Sequence, residues 1–298
     1  MKKRLVTSAL AMLLVLSMVG CSSSKSNIPE KPEEIISKAR TNMESSKNFT
    51  ATSTFAMGID ASGEAGEMTF TTKTTAFKSP FKMKSEVTAD MGEGDAANSE
   101  MICDKEDAQY YVYSLYNDAW TKDKVEQTQV DAVAEKYKMP VDLDTYVKNP
   151  ASLKITGVDK ENKNLTVLEG TISGEDAVNV LGNSGVLTQL GLTTVPDEIA
   201  TSIQPITIKI WVNNSSVIIE KFSVDMKTAM QSLIDAIAAE GNTDLGVSIT
   251  KCETMIDNIV LNKAKDFKVA AEGVAAQPSA TTEPTATTDP AATAEPTK

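Results

Sequence analysis

The sequence has no histidine, and its 298 residues include only three cysteines and 5% aromatics. Without histidine there is no imidazole base, no Ser-His-Asp or Cys-His arrangement, and no His-containing metal site. Positive charge is scarce too: 29 basic residues face 41 acidic ones, a formal net charge of −12. Lys2, Lys3 and Arg4 sit in a first stretch of twenty residues without an acid, so the remainder is more acidic still. Such a surface does not neutralise phosphates, which excludes nucleic acid as a partner. It offers no polybasic clamp for anionic lipid either. Also missing is any apolar run of the ~20 residues that a spanning helix needs.

What is present begins with an address. Lys2-Lys3-Arg4, an apolar stretch from Leu5 to Val19, and Gly20 before Cys21 follow the order of a secretory signal. Met18-Val19-Gly20-Cys21 resembles the lipobox of bacterial lipoproteins, with Met18 where leucine is usual. The resemblance implies that residues 1–20 are a signal peptide and that Cys21 is diacylated, carrying diacylglycerol and palmitate-type chains. Residues 21–31 are then a lipidated tether, and Ser22-Ser23-Ser24-Lys25-Ser26-Asn27 has the composition of flexible linker. Two acyl chains meet the requirement for stable attachment. The expected location is the extracytoplasmic face of the bacterial cell membrane, with that membrane as partner through the lipid on Cys21.

At the other end, prolines recur at Pro278, Pro284, Pro290 and Pro296, and no large apolar residue follows Val274. Residues 273–298 read as a disordered Thr/Pro/Ala-rich tail. Residues 32–272 are enough for one well-buried domain.

That domain opens with a helix: Pro32 suits the first turn, Glu33 and Glu34 its positive end, and Ile35, Ile36, Ala39 and Met43 share one face. From Asn48 the period changes to two, predicting strands over 48–59, 67–78, 81–91, 98–104, 108–116 and 119–125. A short helix over 129–138 follows, then a hairpin about Asp159–Asn164. The apolar stretch 174–203 lacks alternation and is cut by Gly182, Gly185, Gly191 and Pro196 into two or three short helices. A second hairpin pairs Pro205–Val212 with Val217–Met226. Met230, Leu233, Ile234, Ile237 and Ala238 mark an amphipathic helix, and a final strand or pair spans Val247 to Leu261. The fold class is α+β: a large curved antiparallel sheet, a half-barrel, with helices packed on its concave face.

Tyr110-Tyr111-Val112-Tyr113, followed by Asn117-Asp118-Ala119-Trp120, and Ile210-Trp211-Val212-Asn213, followed by Ile219-Glu220-Lys221-Phe222, resemble LolA/LppX-like half-barrel lipoproteins. The resemblance spans roughly residues 32–262. It implies an apolar cavity between sheet and helices, and a role in binding or carrying a lipid or other apolar ligand.

Tyr111, Tyr113 and Trp120 are candidate ligand-binding residues from the sheet, because these rings combine apolar bodies with a polar tip. Packing across the sheet is the plainer reading of the same rings. From the helices the candidates are Leu187, Leu190, Leu233 and Ile237, which serve either as core or as a lid. Catalytic signals are absent. Ser79-Pro80-Phe81-Lys82 matches Ser-x-x-Lys without Lys-Thr-Gly or Ser-Asp-Asn beside it. Asp142-Leu143-Asp144 and Glu93-Gly94-Asp95 lack calcium-loop spacing. The expectation is no enzyme, no cofactor and no metal. Cys103 and Cys252 leave two alternatives open, a disulfide and a pair of free buried thiols. The alternative function is a surface interaction or scaffold lipoprotein whose half-barrel is filled by side chains.

Overall fold

Alternation beginning at Asn48 builds a sheet whose two faces differ in kind. A computed structural model describes residues 28–268, apart from 93, 95, 117–118, 184–186, 188–194, 196 and 242–245, together with 275–276. The expected signal peptide, Cys21, most of the tether and nearly all of the tail lie outside the described residues. Among those described, no helix is long and apolar enough to cross a membrane.

Helix α1 (Pro32–Glu44) buries Ile35, Ile36, Ala39 and Met43, the four positions its period picks out. Six strands follow as an antiparallel meander: β1 (Asn48–Ala61), β2 (Glu64–Lys78), β3 (Phe81–Asp90), β4 (Ala97–Glu106), β5 (Gln109–Tyr116) and β6 (Ala119–Val125). Two short helices come next, α2 (Gln127–Lys136), opened by a Glu126/Gln129 capping box, and α3 (Leu143–Tyr146). The hairpin of β7 (Lys154–Val158) and β8 (Leu165–Ile172) leads to α4 (Glu175–Asn183) and α5 (Asp197–Ala200). Strands β9 (Ile206–Asn213) and β10 (Ile219–Asp225), helix α6 (Lys227–Glu240) and strand β11 (Val247–Leu261) complete the domain.

The strands form one open sheet in the order β6-β5-β4-β3-β2-β1-β11-β10-β9-β8-β7. Strand β11 joins the two halves by pairing with β1 on one side and β10 on the other. It is a single strand of 15 residues whose pairing with β1 shifts register between Thr50 and Thr52 and between Gly58 and Ile59, with the extra residue on β11 each time. A Cβ on Gly58 would lie 2.4 Å from Thr250 Oγ1, so a larger residue there would have to displace that hydroxyl. Beyond β6 the chain adds β12 (Ala275–Ala276), which pairs in parallel with Thr121 and Lys122. These two residues depart from the expected disordered tail; backbone pairing of this kind needs no apolar side chains.

On the inner face, Phe49, Met57, Met83, Ile208, Ile210, Phe222 and Val224 pack with α1 and with Ala229, Met230, Leu233 and Ile234 of α6 in one continuous core. The outer face carries cross-strand ion pairs, such as Lys84–Glu100 at 3.1 Å, Lys122–Glu106 at 2.7 Å and Lys209–Glu169 at 2.7 Å. Hydrophobic-in, charged-out alternation is what an antiparallel sheet with one covered face requires.

Cys103 on β4 and Cys252 on β11 are both free and buried. Four inter-strand steps separate their strands, about 19 Å at the usual spacing. A disulfide needs Cα atoms within about 7 Å, so the free-thiol alternative holds. Burial pushes the two thiols up to about 11 and about 12.

Candidate functional site

The inner face is not uniformly bulky. Register places Ala51 of β1 opposite Thr74 of β2, and Ser53 opposite Thr72. Four small side chains therefore sit together where neighbouring inward positions hold Phe49, Phe55 and Met57. The helical side facing them is the stretch from Lys136 to Tyr146. Between the two lies a groove of about 570 Å³, lined also by Phe49, Tyr137, Met139, Tyr146 and Ile256. That volume lies within the ~300–1,000 Å³ range of small-molecule sites.

The groove's wall is fixed from behind. Asp142 caps α3, its carboxylate accepting from the Asp144 and Thr145 amides and the Thr145 hydroxyl. Val141 and Leu143 are fully buried in the core, and the Tyr146 ring packs 5.2 Å from that of Phe222 on β10. Arg40 Nη1 of α1 donates to Asp144 Oδ1 at 2.7 Å. Burial raises both the Tyr137 and the Tyr146 phenols above their ordinary value, with the Asp142 charge adding to the second. Both stay neutral hydrogen-bonding groups at physiological pH. The floor adds the hydroxyls of Ser53, Thr72 and Thr74, and Lys136 stands exposed at the rim. The lining is thus apolar at Phe49, Met139 and Ile256, and hydroxyl-bearing at its centre.

The sequence candidates occupy two different faces. Tyr111 pairs with Lys124, Tyr113 with Lys122 and Leu115 with Trp120, which puts all three aromatic candidates on the outer face, away from the helices. There Tyr113 donates its hydroxyl to Glu106, and Lys122 Nζ lies 2.7 Å from the same carboxylate and 4.0 Å from the Tyr111 ring centre. Contact with Lys122, then with Tyr113, holds the Glu106 carboxyl below its usual range. Burial first, then the Glu106 hydrogen bond, raises the Tyr113 phenol. It is a closed, internally satisfied cluster. Leu187 and Leu233 are buried in the core, and Ile237 packs against it. Leu190 and Cys21 lie outside the described residues. None of the described candidates, aromatic or helical, lines the groove. The groove residues were missed because they are small or polar; a run of Ala51, Ser53, Thr72 and Thr74 at inward positions is the signal that marks them. Among the described residues, no group of three or more Asp, Glu or Cys side chains is placed to hold a metal ion.

An open antiparallel sheet with helices on one face and a groove between them defines an α+β half-barrel class. The chain belongs to DUF6612, a family of unknown function, whose model matches residues 31–244. No curated protein matches its sequence. Among solved structures, a DUF1329 family protein from Desulfovibrio piger aligns over 79% of this chain and 95% of its own, at 10% identity and a TM-score of 0.24.

Proposed function

We propose that this protein is a lipoprotein, anchored to the extracytoplasmic face of the membrane through a diacylated Cys21, that holds an amphipathic lipid or similar apolar ligand in the groove. The observation that carries the reading is the 570 Å³ groove itself, an apolar trough with hydroxyls at its floor and a cation at its rim. An acyl or ring portion fits against Phe49, Met139 and Ile256, and a polar group finds Ser53, Thr72, Thr74 or Lys136. The sequence resemblance to LolA/LppX-like lipoproteins, with its signal and Cys21, supports the same reading. So does the chemistry of the lining: among the described residues its one carboxylate, Asp142, is occupied as a helix cap, which favours binding over catalysis. One observation favours a scaffold without a ligand, namely that the core runs unbroken from α1 to α6.

Native mass spectrometry of the chain purified from the cells that make it decides between them. An apolar adduct present on the wild type and absent from Ser53→Trp, which fills the groove, supports the binding reading. No adduct on the wild type, together with equal uptake of an apolar fluorescent dye by both proteins, overturns it.

A further inference from the structure

The two edges of the sheet are protected differently. Strand β7 is five exposed residues, begins with Lys154, and carries a register shift between Ile155 and Gly157, where Gly157 has φ +132°. A short strand, a lysine and a bulge are the usual means of blunting an edge. Strand β6 carries Lys122, Asp123 and Lys124 but is longer and has no bulge: all seven of its residues pair in regular register with β5. Its far side is a template for another strand, and among the described residues the strand on it is β12.

Ahead of β12 in the chain, the described residues Asn262–Phe267 run from the end of β11 onto the outer face. After β11, Asn262 N donates to Asn48 O at 2.9 Å, while Lys47 N donates to Asn262 Oδ1 at 2.7 Å and Ala264 N to Asn48 Oδ1 at 3.0 Å. Further on, Phe267 packs edge-on against Phe77 of β2 with ring centres 6.0 Å apart. Lys82 of β3 fastens this point. Its largely buried ammonium reaches Asp104 of the sheet at 3.2 Å, then Asp266 at 3.0 Å and the Phe267 carbonyl at 2.5 Å, and lies 4.7 Å from the Phe267 ring centre. Phe77 and Thr121 sit four strands apart, about 19 Å. Strand β12 lies one spacing further, about 24 Å from β2, and the eight peptide steps from residue 267 to 275 reach roughly 27 Å when extended, so one chain is long enough.

We propose that Asn262–Phe267 and Ala275–Ala276 are an intramolecular strap, fastened by Lys82, that occupies the β6 edge and keeps it from accepting a strand of another chain. The occupant is the molecule's own C-terminal segment. The strap lies beyond residues 31–244, so it is an addition to what the family model describes. The proposal is independent of the groove, which lies on the opposite face.

Full-length variants test it. Ala275→Pro/Ala276→Pro removes the β12 amide donors, and Asp266→Ala/Phe267→Ala unfastens the strap without touching the sheet. Both are expected to speed hydrogen exchange at Thr121–Asp123 by about tenfold or more, with exchange elsewhere unchanged. Both are also expected to self-associate in sedimentation runs at concentrations where the wild type stays monomeric. Unchanged β6 exchange in the proline variant overturns the occupancy of the edge. Unchanged β6 exchange in the unfastened variant overturns the role of the Lys82 contact. Wild-type β6 protection that appears only as the protein dimerises shows the tail of a second copy on the edge and overturns the intramolecular assignment.

Discussion

Arg40 Nη1 and Asp144 Oδ1 meet at 2.7 Å across 104 positions of sequence, tying the first helix to the wall of the groove. Arg40 is one of only two arginines in the chain, and Asp144 also lies 3.7 Å from Lys138. The pair is partly exposed, so its contribution to global stability is under about 1 kcal/mol. Its effect belongs to the wall. Arg40→Leu is expected to leave the urea midpoint nearly unchanged, to speed amide exchange across 141–147, and to weaken uptake of an apolar dye by up to about fivefold, the equivalent of ~1 kcal/mol. Unchanged exchange across that stretch would show the wall to be held by Leu143 and Tyr146 alone.

Phe222 provides the stronger hold. Its side chain is fully buried, and Tyr146 packs on it from the groove side. Phe222→Ala removes a whole ring from a close-packed core and is expected to cost about 3–5 kcal/mol in chemical denaturation. Phe222→Leu keeps most of the volume, and its expected loss is about 1 kcal/mol. A Phe222→Ala loss below about 1 kcal/mol would mean that the core around β10 collapses to fill the space.

Strands were legible because their period is short and repeats many times, as from Met68 to Thr75 or Ile206 to Val212. Helix α3 was not, since four residues make barely one turn and cannot repeat a pattern; it exists because Asp142 caps it and Leu143 is buried. The harder problem was which face is which. Alternation says that Tyr111 and Tyr113 share a side of β5, but Tyr110 and Val112 are apolar too. Only pairing of Val112 with Cys103, and of Cys103 with Met83, shows that the even positions face the core. The groove was hidden for a related reason. Ala51, Ser53, Thr72 and Thr74 are unremarkable one by one, and become a floor only once register sets them side by side.

The buried thiols give stability a dependence on alkaline pH. Cys103 and Cys252 ionise near 9 when unfolded, but burial raises them to about 11 and about 12 in the fold. The folded state therefore keeps protons that the unfolded state sheds, and its stability falls as pH rises from about 9 through the folded values. Tyrosine and lysine also titrate in that range, so the comparison is with Cys103→Ala/Cys252→Ala. The wild type's advantage over this variant is expected to shrink between pH 8 and pH 10.5 in paired denaturation curves. A constant advantage would place the thiols' contribution in packing alone. Native-state alkylation of either cysteine at pH 8 is expected to be slow, because neither is exposed and neither is a thiolate.

The anchor supplies the last prediction. If Cys21 is diacylated, Cys21→Ala prevents acylation and blocks processing at the Gly20–Cys21 junction. The protein is then shed, or held only by its uncleaved signal. The fold is expected to be indifferent, because six residues, Ser22 to Asn27, lie between Cys21 and Ile28, the first described residue that packs against the core. The first fully buried residues of the core are Ile35 and Ile36. Metabolic labelling with a fatty-acid analogue reads acylation directly, and the denaturation midpoint reads the fold. The expected result is loss of label with an unchanged midpoint. Label persisting on Cys21→Ala, or a wild-type mature N-terminus other than Cys21, would remove the anchor from the proposed function and leave the groove to be argued on its own.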